Sequence, residues 1–85
     1  MVHDNLKKIR TAMGVTQSHL AKKINVTNMT YSRIENGESK LDVERLKVIA
    51  NSLGIDVSIF FDDKLTESVV FKMKNVDSKS GKLAI

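Results

Sequence analysis

A chain of 85 residues leaves room for one domain with a sufficient but not large core, and its 41% apolar share marks it as globular rather than disordered. The net charge of +4, from 14 basic and 10 acidic residues, is a mild bias toward nucleic acid over acidic substrates or membrane surfaces, and the excess lies mainly in residues 1–61. With no cysteine there is neither a disulfide framework nor a thiolate metal site, no run approaches the ~20 apolar residues of a membrane span, and the start Met1-Val2-His3-Asp4-Asn5 lacks a signal-peptide pattern, so a cytoplasmic location is expected.

Leu6, Ile9, Arg10 and Met13 recur at helical spacing and predict a first helix over 4–13, with Gly14 just past its end where a left-handed conformation is cheap. Thr16 is a fitting N-cap for a second helix whose buried stripe is Leu20, Ala21 and Ile24. Asn25, which tolerates left-handed dihedrals, closes it. Thr27 caps a third helix that ends near Asn36 and Gly37, with Tyr31 and Ile34 facing inward. After a polar loop, Asp42 caps a fourth helix with Val43, Leu46, Ile49, Ala50 and Leu53 as its core face and Gly54 as its stop. Asp56 caps a short fifth helix over 57–61.

The period then changes. Val69, Phe71 and Met73 alternate with Val70, Lys72 and Lys74, which is strand spacing. Residues 77–81 carry turn chemistry, and Leu83-Ala84-Ile85 fit a short return strand. The expected division is a domain over 1–61 and a strand or hairpin extension over 62–85.

Residues 16–37 are the most informative stretch: two short helices joined by a tight turn, the second presenting small polar side chains and one arginine outward. That is what a helix entering the major groove of DNA requires. Gln17 begins the second helix, where its amide and the free backbone N–H groups can meet a phosphate.

Four motifs stand in order: Leu6-x-x-Ile9-Arg10, Gly14-x-Thr16-Gln17-x-x-Leu20-Ala21, Ile34-Glu35-Asn36-Gly37, and Leu46-x-x-Ile49-Ala50-x-x-Leu53-Gly54-Ile55. Through them, residues 6–61 resemble the XRE family of helix-turn-helix proteins, the phage repressors and Cro proteins. The resemblance implies a mainly α fold, a five-helix lambda-repressor-like domain, here followed by the C-terminal β-strand or hairpin. It implies a backbone contact for the residue matching Gln17, and groove-facing positions across residues 27–33. On that helix Asn28 suits adenine, Arg33 suits guanine, and the methyl of Thr30 or the side chain of Met29 suits a thymine methyl. Thr27 and Ser32 are small enough for close approach to the DNA backbone, Asn36 and Lys40 are expected on phosphates, and the hydroxyl of Tyr31 is expected to reach the backbone from the edge of the motif. Arg10 and Glu35 often pair across the first and third helices in the family, so they are assigned to the scaffold. Two departures stand out: Asn25 where many members carry glycine, and Tyr31 where an aliphatic residue is commoner.

No other constellation competes. His3 and His19 lack metal spacing, no serine sits in a nucleophile elbow, no glycine-rich phosphate loop is present, and Asp62-Asp63 read as a solvated loop. Enzymatic activity, a metal, a cofactor and a small-molecule ligand are therefore not expected. An exposed hydrophobic strand needs a partner: either it folds back as a hairpin on its own domain, or, as the favoured expectation, a homodimer built on Val69, Phe71 and Met73, with Phe60, Phe61 and Val57 as further interface residues, places two recognition helices about 34 Å apart on a palindrome. The leading function is a sequence-specific, dimeric regulator of transcription on double-stranded DNA, a repressor. The alternatives are an antitoxin that binds DNA and touches a toxin partner through its tail, or a protein–protein module on the same fold.

Overall fold

The computed structural model describes the backbone of residues 1–83 and the side chains of residues 1–74. Five α-helices follow one another: α1 Val2–Ala12, α2 Gln17–Lys23, α3 Asn28–Glu35, α4 Val43–Leu53 and α5 Asp63–Leu83, with a 3-10 turn at Val57–Phe61 between the last two. The starts of α2, α3 and α4 are set by side-chain oxygens that satisfy otherwise orphaned amides: Thr16 accepts from the His19 amide, Thr27 from the Thr30 amide and Asp42 from the Arg45 amide. The turn between α2 and α3 depends on Asn25, the one non-glycine residue with positive φ (57°) among those described, a conformation asparagine supports by local hydrogen bonding.

The core is one cluster. Leu6 and Ile9 from α1, Leu20, Ala21 and Ile24 from α2, Tyr31 and Ile34 from α3, and Leu46, Ile49 and Ala50 from α4 meet around Phe60. The helical stripes expected from spacing thus supply most of it. Val43 does not join: it is 53% exposed, because the first position of a capped helix lies at the rim.

The C-terminal strand is corrected. No strand occurs among the described residues, and 63–83 form one helix. Thr66, Val69, Val70 and Met73 fall at helical spacing; Thr66 is buried, and Val69 and Val70 pack on the core. The expected turn over 77–81 lies within the span of α5, and of the expected return strand, residues 84 and 85 lie outside the described residues. Asp62 and Asp63 are structural rather than a mere solvated loop. Asp62 Oδ1 accepts from the Leu65 amide at 3.0 Å, which caps α5. Asp63 Oδ1 accepts from Asn5 Nδ2 at 2.9 Å. The buried Asn5 amide also donates to the Phe60 carbonyl at 2.9 Å, and the Thr66 hydroxyl donates to the Ile59 carbonyl at 2.7 Å. An exposed Lys8–Glu67 pair at 2.8 Å adds a further link between α1 and α5.

Candidate nucleic-acid interface

The α2–α3 unit is held from behind. Leu20 and Ala21 on α2 and Tyr31 and Ile34 on α3 are all 1% exposed or less, so the two helices share one apolar seam. The small side chain of Ala21 suits a close crossing. At the turn, the Val26 amide donates to the Ala21 carbonyl at 3.0 Å and fixes the path between the helices.

Around α3, burial separates two faces. Tyr31, Ile34 and Glu35 point inward. Met29, Arg33 and Asn36, three and four residues apart, line the outer face with the half-buried Ser32. Asn28 is exposed on one flank of that face, and Thr30 is half-buried on the other. Met29 is 65% exposed. Arg33 is exposed and lies outside every ion pair formed among the described residues. Asn36 and Lys40 are exposed in and after the last turn of the helix. Thr27 is exposed, but its hydroxyl is taken by the Thr30 amide at 3.1 Å and meets the Thr30 hydroxyl at 3.0 Å. The Thr30 hydroxyl thus accepts from that of Thr27.

Two expectations about single residues are corrected. Tyr31 does not reach the surface: it is 0% exposed, and its hydroxyl is buried beside the Glu35 carboxylate without completing a hydrogen bond of full geometry. Burial pushes its phenol well above the ordinary range. Phe60 is also 0% exposed, so it belongs to the monomer's own core and offers no surface for a second copy. Among the other suggested interface residues, Val57, Val69 and Met73 are half-buried, while Phe61 and Phe71 are 57% and 67% exposed. Leu65, which sequence reasoning passed over, is exposed as well.

Arg10 and Glu35 form a two-point pair across α1 and α3. Arg10 Nε donates to Glu35 Oε2 at 2.5 Å and Nη2 donates to Oε1 at 3.0 Å. Glu35 is only 2% exposed. Burial alone would raise its pKa, but hydrogen bonds from Arg10 and Gln17 outweigh that and hold the carboxyl below its usual range. The same hydrogen bond raises the guanidinium of Arg10. Gln17 is half-buried, and its Nε2 donates to Glu35 Oε1 at 3.1 Å. Sequence alone gave no sign of that contact, because it joins residues 18 positions apart on different helices. Nor did it single out Lys22 and Lys23, exposed cations in the last turn of α2.

Among the described residues no group of His, Asp or Glu is placed to hold a metal ion, and no helix is long and apolar enough to cross a membrane.

The pattern of the helix-turn-helix family matches residues 6–60, the segment that contains all of α1 beyond its first turn, the α2–α3 unit and α4. The chain is 40% identical over 68 residues to the uncharacterized HTH-type transcriptional regulator YqaF of Bacillus subtilis, covering 80% of this chain and 90% of that protein. It is 33% identical over 55 residues to the SPbeta prophage-derived uncharacterized HTH-type transcriptional regulator YonR of the same organism, covering 65% of this chain and 51% of YonR. An uncharacterized transcriptional regulator in the ATPase CF(0) region of Rhodospirillum rubrum is 31% identical over 62 residues, 73% of this chain and 57% of that protein. With two capped helices set at a left-handed turn, a polar outer face on the second, and this match over the whole unit, the chain belongs to the helix-turn-helix family of XRE type.

Proposed function

We propose that this protein is a sequence-specific, double-stranded DNA-binding regulator of transcription that acts in the cytoplasm as a dimeric repressor on a palindromic operator. The observation that carries the reading is the two-faced character of α3: Tyr31, Ile34 and Glu35 are locked inward while Asn28, Met29 and Arg33 are presented outward. A helix held rigidly by its back loses little conformational freedom on docking. Its outer side chains match base edges in the major groove: a bidentate arginine for guanine, an asparagine for adenine, and apolar contact from Met29 and the Thr30 methyl for thymine. Gln17, Ser32, Asn36 and Lys40 would meet the sugar–phosphate backbone and set register, with Thr27 allowing close approach.

Dimerisation is assigned to the exposed apolar side chains of the C-terminal part. Phe61, Leu65 and Phe71 are exposed there among the described residues, and a second copy related by a two-fold axis would cover them. The relation to YqaF, which has nearly the same length of matching chain and carries a regulator's name, supports the functional class.

Selection of bound duplexes from a random pool at near-physiological salt tests this. An enriched motif with two inverted half-sites about one helical turn apart is the expected outcome. Binding without enrichment, or binding abolished by moderate salt, would reduce the interaction to nonspecific attraction and shift the function toward protein interaction.

A further inference from the structure

The buried polar cluster behind the two helices has a feature that core stability alone does not require. Glu35 Oε1 receives one hydrogen from Arg10 Nη2 and another from the side-chain amide of Gln17. Arg10 Nη1 in turn donates to the Val15 carbonyl at 2.8 Å, two residues before Gln17. One ion pair thus fixes both the backbone that leads into α2 and the side chain that opens it.

A primary amide has two N–H donors. Glu35 occupies one of those on Gln17, and the residue is only half-buried, which is compatible with the second hydrogen serving a group outside the domain. Charge bears on what that group can be. A lone carboxylate directly behind the amide would repel an incoming anion, whereas the two-point contact with Arg10 neutralises it. An anionic oxygen acceptor is then tolerated in front of the amide.

We propose that the Arg10–Glu35 pair is a positioning device for Gln17, holding its amide so that the free N–H meets a phosphodiester oxygen of DNA. Arg10 and Glu35 touch no DNA themselves; they act through Gln17. This rests on the DNA-binding reading above, with the phosphodiester as the ligand. An amide that must find its rotamer at the moment of docking loses affinity to the ordering of its side chain, and a pre-set amide does not.

The test is a double-mutant cycle on a duplex enriched from a random pool. Gln17→Ala is measured in the wild type and in the Arg10→Met/Glu35→Leu background, where an apolar pair of similar volume replaces the ions. In the wild type, Gln17→Ala is expected to weaken binding about tenfold, the scale of a hydrogen bond to a charged acceptor. In the apolar background it is expected to weaken binding less than about twofold, because the amide is no longer held. Equal weakening in both backgrounds, or none in the wild type, overturns the positioning role while leaving DNA binding intact. Failure of the wild type to bind any enriched duplex overturns the DNA reading instead. Nuclear magnetic resonance of the wild type decides the matter without any folded variant. One Gln17 side-chain amide hydrogen should be shifted downfield in the free protein, and the second should shift only when the duplex is added. A second hydrogen that ignores the duplex refutes the proposal.

Discussion

Replacing Glu35 with alanine removes a carboxylate that is 2% exposed and takes three hydrogen bonds, two from Arg10 and one from Gln17. The guanidinium left behind keeps only the Val15 carbonyl. Breaking a buried ion pair by deleting one partner costs about 3–5 kcal/mol, because the surviving charge is uncompensated. The Arg10 side chain retains 11% exposure, enough for some water to reach it, so the low end, about 3 kcal/mol, is expected. Small domains are stable by about 5–15 kcal/mol in total, so the loss is a large fraction of the whole. For a chain of this size it corresponds to a melting temperature lower by roughly 12–24 °C. Urea unfolding followed by circular dichroism reads the change as a shift in midpoint at constant slope. Arg10→Met/Glu35→Leu, which removes both charges and fills the volume, should unfold within about 1 kcal/mol of the wild type or above it. A Glu35→Ala protein that loses less than about 1 kcal/mol would refute the assignment of Arg10 as a buried, dependent charge.

Three further outcomes follow from the structure. Glu35 has its folded-state pKa depressed, so the stability it contributes is complete above the unfolded carboxylate range and is lost as pH falls through the folded value. Acid titration of unfolding should therefore show a steeper decline in the wild type than in Arg10→Met/Glu35→Leu below about pH 4, and parallel curves would contradict the pairing. Gly37 has φ of +78°, and a Cβ there would lie 2.8 Å from the His3 imidazole. Because that imidazole is the mobile end of a side chain, backbone strain dominates: Gly37→Ala should cost about 1–2 kcal/mol in thermal or urea unfolding, and His3→Ala in that background should recover little of it; full recovery would make the clash the main cause. Asn5→Leu removes the donor shared by the Phe60 carbonyl and Asp63, at about 1–3 kcal/mol. Hydrogen exchange should show faster opening of the first turns of α5 with the α2–α3 amides unchanged relative to global stability, and uniform acceleration would count against a local clamp.

How much of this was legible in the sequence depends on how far apart the interacting residues lie. Caps and stops were readable because each is local: Thr16, Thr27 and Asp42 bond amides three positions on, and Asn25 takes the left-handed turn by itself. Core stripes such as Leu46, Ile49 and Ala50 follow from helical period. The segment 69–74 misled because two periods coincide in it. Val69, Phe71 and Met73 alternate as a strand does, yet Thr66, Val69, Val70 and Met73 also form one helical face, and six residues cannot separate the two. The deciding signal lay upstream, where Asp62 caps a run free of glycine and proline as far as Ser80. Tyr31 was misplaced for another reason. A phenol is amphipathic, and whether its hydroxyl faces water depends on where Glu35 and Arg10 carry the neighbouring polar atoms. Asn5 and the Gln17–Glu35 contact are set by tertiary placement alone and leave no trace in residue spacing.

The most direct test of the account is a binding table for the wild type and Arg33→Ala against an enriched duplex and every single base-pair change in one half-site. If the outer face of α3 reads bases, Arg33→Ala should weaken the parent duplex while discriminating poorly at one base pair only, where the wild type loses about 1–3 kcal/mol for each wrong base. Weakening by one constant factor across every duplex, with the preference at all positions preserved, would contradict direct readout by α3 and reduce Arg33 to a phosphate contact.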